Sequence, residues 1–304
     1  MSLLVVGSVA LDSVETPFGK RDDALGGSAT FFSTAASLFS PVQLVAVVGE
    51  DFPAEHVEFL SGRRVDLAGL TRAPGKTFRW KGRYTYELNE AQTLDTQLNV
   101  FGDFAPKLPE RYRQADWVFL GNIDPVLQGQ VLDQVQRPKL VAADTMNFWI
   151  QGKREALLET LKRVDLLFVN DAEARALSGE SNIIKAARGI QAMGPQRVAI
   201  KRGEYGAILF DGEHHICAAP ALPLEDVFDP TGAGDSFAGG FMGHIARVGN
   251  TEPATLRHAL ALGTVVASFT VEQFSLDRLR TVTEPEVTAR FNAFRKVIQI
   301  DDLR

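Results

Sequence analysis

Short apolar runs that favour β-strands alternate with stretches of helical periodicity along most of this 304-residue chain. Leu3 to Val9, Val42 to Val48 and Leu166 to Val169 are runs of this kind, and helical patterns lie between them. Continuous apolar runs, without alternating polar residues, are typical of strands that are buried on both faces. The alternation therefore predicts an α/β fold in which a mostly parallel sheet is covered by helices on both sides.

One segment departs from this alternation. Thr77 to Leu88 and Gln92 to Val100 mix polar and aromatic residues, and Asn89-Glu90 between them reads as a turn. The pattern predicts a projecting hairpin, with which Asp12 to Pro17 could pair. We therefore expect a single domain, residues 1–304, with a small β-sheet lid built from residues 12–17 and 77–100. An exposed sheet needs a partner surface, so the lid permits a homodimer without requiring one.

Charge and cysteine content exclude several classes of protein. The net charge is −6 and the isoelectric point is near 5.5, which argues against a general nucleic-acid or anionic-membrane binder. The single cysteine, Cys217, excludes an internal disulfide and a cysteine-rich zinc site. No apolar run approaches the ~20 residues that a membrane span needs, and the N-terminus lacks a basic leader. We expect a cytoplasmic protein with no membrane partner.

The segment Asp229-Pro230-Thr231-Gly232-Ala233-Gly234-Asp235 contains the strongest chemical signal. It reads as a loop that becomes a helix, because Phe237, Phe241 and Ile245 follow at the spacing of one apolar helix face. Small residues let a ligand approach the unpaired N–H groups of a helix N-terminus, which form an anion site. The amides of Gly232, Ala233 and Gly234 are thus candidates to hold a phosphoryl group. A carboxylate beside such a site, here Asp235, is placed to accept a proton from an attacking hydroxyl.

The alternative interpretation is an ordinary glycine-rich turn with an acidic first helical turn. Other phosphate-binding and catalytic signatures are missing from the sequence: there is no G-x-x-x-x-G-K-[ST], no G-x-G-x-x-G after the first strand, no H-E-x-x-H and no G-x-S-x-G. An NAD-dependent oxidoreductase therefore lacks its fingerprint.

Two segments near the N-terminus are candidates to hold a second ligand. Gly7 to Asp12 ends the first strand and brings a carboxylate to the carboxyl edge of the sheet, where ligands bind in open α/β folds. The Asp12 carboxylate can accept hydrogen bonds from two vicinal hydroxyls, or it can be a solvated turn residue. Gly26-Gly27-Ser28 precedes a helix, either as a bare backbone surface for a substrate or as a plain N-cap.

Together these strings resemble the ribokinase-like (PfkB) family of carbohydrate and nucleoside kinases, from about Leu3 to about Leu279. The resemblance implies a three-layer α/β/α fold with a β-lid, and ATP-dependent transfer of the γ-phosphoryl group to a hydroxymethyl group. Asp235 would be the base, while Asp12, Gly26, Gly27 and Phe31 would hold the acceptor. The remaining assignments concern ATP and its ions: Asn170-x-x-Glu173 for Mg²⁺ through water; Lys201, Gly203, Thr231 and Thr264 for the nucleotide; Asp229 and Thr231 for part of a K⁺ site.

Departures from the pattern leave the acceptor and the cation open. Where ribokinases have Asn, Lys and Asn, this chain has Ala10, Ser28 and Phe31, which puts ribose itself in doubt. Gln273 and Phe274 do not match the opposite wall of a cation site. The aromatic residues near the lid can be a pocket wall or plain packing: Phe31, Phe32, Phe78, Trp80 and Tyr84. We expect a sugar or sugar-like acceptor; the alternatives are a nucleoside kinase and a catalytically silent binding protein.

Overall fold

The computed structural model describes residues 2–89 and 91–299, and thirteen strands lie within these ranges. In chain order they are β1 (Leu3–Val6), β2 (Ala10–Thr16), β3 (Gly19–Gly26), β4 (Val42–Gly49), β5 (Val65–Ala73), β6 (Arg79–Tyr84), β7 (Ala91–Gln97), β8 (Trp117–Leu120), β9 (Leu140–Asp144), β10 (Leu166–Asn170), β11 (Arg197–Lys201), β12 (Ala207–Asp211) and β13 (His215–Ala219). Nine of them form the central sheet in the order β13-β12-β11-β10-β9-β8-β1-β4-β5. Only β12 runs antiparallel to its neighbours, so the sheet is mostly parallel, as predicted.

Helices cover both faces of this sheet. They are α1 (Ser28–Ala36), α2 (Ala54–Gly62), α3 (Pro125–Leu132), α4 (Asn147–Gly152), α5 (Arg154–Leu161), α6 (Asp171–Ser178), α7 (Ile183–Gln191), α8 (Ala233–Val248), α9 (Pro253–Thr270) and α10 (Glu284–Val297). Alternate residues of a strand point to opposite faces, so Leu3 and Val5 join one apolar cluster while Leu4 and Val6 join the other. α1, α8 and α9 cover the first face, and α3, α5, α6 and α7 the second. No helix in the described ranges is both long and apolar enough to span a bilayer.

Glycines allow α8 to pack very closely on its neighbours. A Cβ on Gly239 would lie 2.5 Å from the carbonyl oxygen of Phe32, and one on Gly243 would lie 3.0 Å from Cα of Ala36. Both contacts are with α1, which leads from the di-glycine segment. The two helices that begin at the predicted site are therefore fixed against each other at short range.

A separate four-stranded sheet, β3-β2-β6-β7, forms the lid. It is larger than predicted, because β3 adds residues 19–26 to the expected segments. At its other end the lid is shorter than predicted, because β7 ends at Gln97 and residues 99–103 form a 3-10 helix. β3 was not predicted since five of its eight residues are exposed and its sequence, GKRDDALG, has no apolar alternation. The predicted turn residue Glu90 lies outside the described residues. The prediction also omitted β5 and the helix pair α4–α5.

Hydrogen bonds to one carboxylate join the lid to the body. Asp51 accepts from both the N–H and the hydroxyl of Thr77, each at 2.7 Å, and from Arg79 at 2.8 Å. The Thr77 hydroxyl in turn accepts from the N–H of Gly49 at the end of β4. The start of β6 is therefore anchored to the central sheet, and the lid extends from a fixed base.

Candidate active site

Gly232 makes the turn from which α8 begins. Its φ of 74° is left-handed, and a Cβ there would lie 2.3 Å from the ring of Phe31, so a side chain is excluded both by conformation and by space. Ala233 donates its N–H to the carbonyl of Pro230 at 3.1 Å. Within the described residues, no backbone oxygen accepts from Gly232, Gly234 or Asp235. Of the three predicted amides, Gly232 and Gly234 therefore have no backbone acceptor, whereas that of Ala233 is occupied.

The Asp235 side chain lies in the first turn of α8, next to these amides. Burial raises the pKa of Asp235 to about 7; the negative charge of Asp144 adds to the rise, and Lys201 opposes it. A carboxylate with a pKa near neutrality is a far better proton acceptor than an ordinary exposed aspartate. The geometry and the charge environment both suit a general base.

Asp12 reaches the same cleft from the lid strand β2. Its side chain is 6% exposed, and its Oδ2 accepts from the N–H of Gly27 at 3.2 Å. A Cβ on Gly26 would lie 1.9 Å from the same oxygen, so this glycine makes room for the carboxylate. Burial raises the pKa of Asp12 to about 7; the Gly27 amide opposes this rise, while Asp229 and Asp235 add to it. The structure thus brings the predicted acceptor-side and catalytic carboxylates into one electrostatic environment.

The lid closes over this cleft through its central strand. The Thr231 hydroxyl donates to the phenolic oxygen of Tyr84 on β6 at 3.3 Å. At the tip of the lid, Asn89 lies against Gly203: a Cβ on that glycine would be 2.6 Å from Asn89 Oδ1. One hairpin therefore contacts the glycine loop and the loop after β11.

The aromatic residues near the lid divide between the two interpretations. Phe32 stacks on Phe119 at 4.0 Å and Phe78 on Phe101 at 5.2 Å, so both are packing residues. Phe31 is 1% exposed and lies beneath Gly232, where it supports the loop.

Trp80 lies on the inner face of the lid. It is the register partner of Asp12, and paired residues of neighbouring strands share a face. Its indole ring covers Gly82, where a Cβ would be 2.1 Å from the ring, and its Nε1 donates to Thr93 at 3.2 Å. These contacts hold the ring along the sheet. Trp80 and Tyr84 are therefore the members of the aromatic set that face the cleft.

Asn170 and Glu173 form a capping box at the start of α6. The Asn170 side chain accepts from the Glu173 N–H, and the Glu173 carboxylate accepts from the Asn170 N–H, both at 2.7 Å. Burial raises the pKa of Glu173 to about 7; Lys201 opposes the rise and Asp144 adds to it. Both residues thus have a structural role, while Glu173 also faces the charged cluster at the cleft.

The other predicted nucleotide residues lie in two environments. Lys201 ends β11 and pairs with Asp144 at 2.7 Å, and its Nζ would be 3.0 Å from a Cβ on Gly234. Thr264 is buried in α9, where its hydroxyl donates to the Leu260 carbonyl at 3.2 Å. Lys201 is therefore next to the anion site, whereas the polar group of Thr264 is engaged inside its own helix.

Asp229 is fully buried below the glycine loop. One carboxylate oxygen accepts from the Thr231 N–H at 2.9 Å and the other from the Ser275 N–H at 2.8 Å. Burial raises the pKa of Asp229, and the two hydrogen bonds oppose this. Asp229 thus connects the loop to the segment after α9.

The sequence analysis did not identify Asp144. It ends β9, so a carboxylate at the end of a buried strand was the available signal. The residue numbers gave no indication of its partner, because Lys201 is 57 positions away and β10 separates their strands.

Comparisons with known proteins match most of the chain. The pfkB family carbohydrate kinase profile matches residues 14–280. A cytidine kinase from Thermococcus kodakarensis is 33% identical over 258 residues, which cover 81% of this chain and 89% of that protein. A nucleoside kinase from Methanothermobacter thermautotrophicus is 34% identical over 285 residues, 89% of each chain. A solved structure of a putative ribokinase II from Escherichia coli, in complex with ATP and Mg²⁺, has a TM-score of 0.77 at 18% identity and covers 96% of this chain and 99% of its own. The predicted fold class is confirmed.

Proposed function

The chain belongs to the pfkB family of carbohydrate kinases, and we propose that it transfers the γ-phosphoryl group of ATP to the hydroxymethyl group of a neutral nucleoside. Family membership makes it an ATP-dependent phosphotransferase that acts on a hydroxyl group of a sugar or nucleoside. The observation that favours the reaction is the location of Asp235: its carboxylate, with a pKa of about 7, lies in the first turn of α8, beside the Gly234 amide that has no backbone acceptor.

In the proposed reaction Asp235 accepts the proton of the acceptor hydroxyl. The hydroxyl oxygen then forms a bond to the γ-phosphorus while the bond from phosphorus to the bridging oxygen of ADP breaks. The amides at the start of α8 donate to the phosphoryl oxygens, whose charge they stabilise without reorganisation. Asp12 and the Gly27 backbone hold the acceptor, and the lid excludes the water that would otherwise take the phosphoryl group.

Magnesium fits this site only with help from the nucleotide. Within the described residues no three His, Cys, Asp or Glu side chains are grouped to hold a metal ion. The side-chain oxygen of Asn170 is occupied by its cap, whereas Glu173 uses one carboxylate oxygen there. Glu173 would therefore hold Mg²⁺ through water, and the ion would shield the charge of the triphosphate.

The charge around Asp12 favours a neutral acceptor. The charged groups that act most strongly on Asp12 are the carboxylates of Asp229 and Asp235. An anionic acceptor, such as a sugar acid, would add a further negative charge to this half of the cleft. A diol of a sugar ring, in contrast, would donate two hydrogen bonds to Asp12.

The Trp80 ring favours a nucleoside over a free sugar. It lies along the inner face of the lid and is held there by Thr93, so one aromatic face is available for a planar base. Stacking of a base on an aromatic side chain contributes about 1–3 kcal/mol. A cytidine kinase and a nucleoside kinase, each more than 30% identical to this chain, support the same choice.

The test measures ADP release with ATP and Mg²⁺ from a panel of cytidine, adenosine, guanosine, inosine, ribose, fructose and 2-dehydro-3-deoxygluconate. We expect a nucleoside to have the highest kcat/KM. Trp80→Ala should lower that value about 5–100-fold and leave the value for ribose unchanged. Phe78→Leu is the matched control, because it removes an aromatic ring that stacks against Phe101 and so tests the effect of lost packing near the lid.

The possible results separate the two parts of the proposal. A preference for a free sugar would refute the nucleoside acceptor and leave the kinase chemistry standing. Activity that survives Asp235→Asn unchanged would refute the assigned base.

Two further proposals concern ions and assembly. Asp229 is a buried carboxylate without an ion-pair partner in the described part of the chain. We therefore propose that a K⁺ ion binds near Asp229 and Thr231. Comparing the kinetics in KCl with those in tetramethylammonium chloride would test this. β7 is exposed at all seven positions and is an edge strand of the lid, which supports pairing of two copies through the lid. Sedimentation of the protein at several concentrations would detect the dimer.

A further inference from the structure

A buried ion pair crosses the carboxyl edge of the central sheet. Lys201 at the end of β11 and Asp144 at the end of β9 lie 2.7 Å apart, and their side chains are 18% and 6% exposed. β10 lies between the two strands, so the pair bridges the position from which α6 begins. Because β9 and β11 are not neighbours in the sheet, no backbone hydrogen bond joins them, and the contact is made by the two side chains alone.

The ammonium group of Lys201 also lies against the start of α8. A Cβ on Gly234 would be 3.0 Å from Nζ, so the absence of a side chain at Gly234 makes room for this cation. Lysine has three donors, and Asp144 accepts from one of them. Two donors therefore remain beside Gly234 at the start of α8.

Asp144 contributes both to the charge and to the position of the ammonium. Burial alone would lower the pKa of Lys201, but the charges of Asp144 and Glu173 outweigh that effect and raise it. The flexible four-carbon stem of lysine needs a partner to hold its end in one position. Asp144 provides that partner.

We propose that Asp144 is a positioning residue that holds the Lys201 ammonium against Gly234, where it binds the transferring phosphoryl group together with the α8 amides. The inference rests on the proposed kinase reaction and deepens it, because it assigns a role to a residue outside the predicted site. The competing interpretation is that the pair only stabilises the sheet edge.

Four variants separate these interpretations: Asp144→Asn, Lys201→Met, the double variant Asp144→Asn/Lys201→Met, and Lys201→Arg. The matched control is the pair Arg197–Asp211, which joins the opposite end of β11 to β12 at 2.8 Å with side chains 12% and 16% exposed. Arg197→Met and Asp211→Asn remove a comparably buried ion pair from the same strand, far from α8. Melting temperatures report the structural contribution of both pairs.

Steady-state kinetics give the first readout. A charged hydrogen bond to the phosphoryl group predicts that Asp144→Asn lowers kcat about 10–100-fold and Lys201→Met by at least as much. Because Asp144 acts through Lys201, the double variant should match Lys201→Met within about threefold, and Lys201→Arg should recover part of the loss. KM for the acceptor should not change. Additive losses, or control variants that lose as much kcat as these, would refute the positioning role.

Nucleotide binding gives a second readout that does not depend on the acceptor. Calorimetry compares the affinity for the non-hydrolysable ATP analogue AMPPNP with that for ADP, both with Mg²⁺. Wild type should prefer AMPPNP, and Asp144→Asn should remove most of that preference while the Arg197–Asp211 variants keep it. A preference that survives Asp144→Asn overturns the inference. If no acceptor in the panel is phosphorylated, the proposed function fails while this measurement still decides the role of Asp144.

Discussion

Replacing Gly232 by alanine should damage the anion site through a single methyl group. The residue has φ 74°, where an L-residue with a side chain costs about 1–2 kcal/mol. The new Cβ would also lie 2.3 Å from the Phe31 ring, whereas ordinary contact begins at 3.4 Å. The loop or the ring must therefore move by roughly 1 Å, and Phe31 has little freedom because it is 1% exposed in the core.

Gly179 is a matched control, because it has the same backbone conformation without the collision. Its φ is 75°, it ends α6, and a Cβ there would meet no atom within 4 Å. Gly179→Ala should therefore show the conformational cost alone, about 1–2 kcal/mol, with a fall in melting temperature of roughly 2–4 °C and unchanged kcat. Any further effect of Gly232→Ala is due to the Phe31 contact.

A shift of roughly 1 Å in the loop displaces the amide of Gly234 from the phosphoryl group. Misplacement on this scale is expected to cost about 10²-fold in kcat. The assay is initial-rate ADP release at saturating acceptor and ATP, with circular dichroism melts of both variants. The reasoning would be wrong if Gly232→Ala kept more than about one third of wild-type kcat, or if Gly179→Ala lost as much activity.

Three further variants test the cleft. Asp235→Asn should lower kcat by about 10²–10⁴-fold. In the wild type, protonation of Asp235 should make kcat/KM fall as the pH drops below its pKa of about 7. Activity that does not change between pH 5 and 8 would exclude this base. Asp12→Ala should lower kcat/KM for the acceptor by at least ~10-fold with KM for ATP unchanged, and equal damage to both substrates would indicate a structural role. Tyr84→Phe removes the bond to Thr231, so ATP hydrolysis without acceptor should rise about 2–10-fold, and an unchanged rate would mean that this contact does not exclude water.

The features predicted best from sequence were those with local causes. α8 was predicted from the spacing of its apolar face, and the structure starts it at Ala233, one residue earlier than expected. The turn at Gly232 also follows from a short segment, whereas Asp12, expected at the end of the first strand, lies inside β2 of the lid. In each case the residues that determine the structure are within a few positions of one another.

Features that depend on distant partners were missed. β3 has polar, exposed residues and is a strand because it pairs with β2 along six registered positions, which its own sequence does not indicate. The Asp144–Lys201 pair requires knowing that β9 and β11 end at the same edge. The occupied N–H of Ala233 depends on how Pro230 turns the loop, a detail of backbone geometry that residue types alone do not fix.

The lid hairpin couples the two halves of the cleft, because the same strand-and-turn unit contacts both. Tyr84 contacts Thr231 in the glycine loop, and Asn89, five residues further on, lies against Gly203 after β11. The base of the lid is held by the Asp51–Thr77 hydrogen bonds, and both contacts lie beyond that base on one hairpin. A ligand that displaces either contact therefore weakens the other. Binding of nucleotide and of acceptor should then be linked, and by thermodynamic reciprocity each must change the affinity for the other by the same factor.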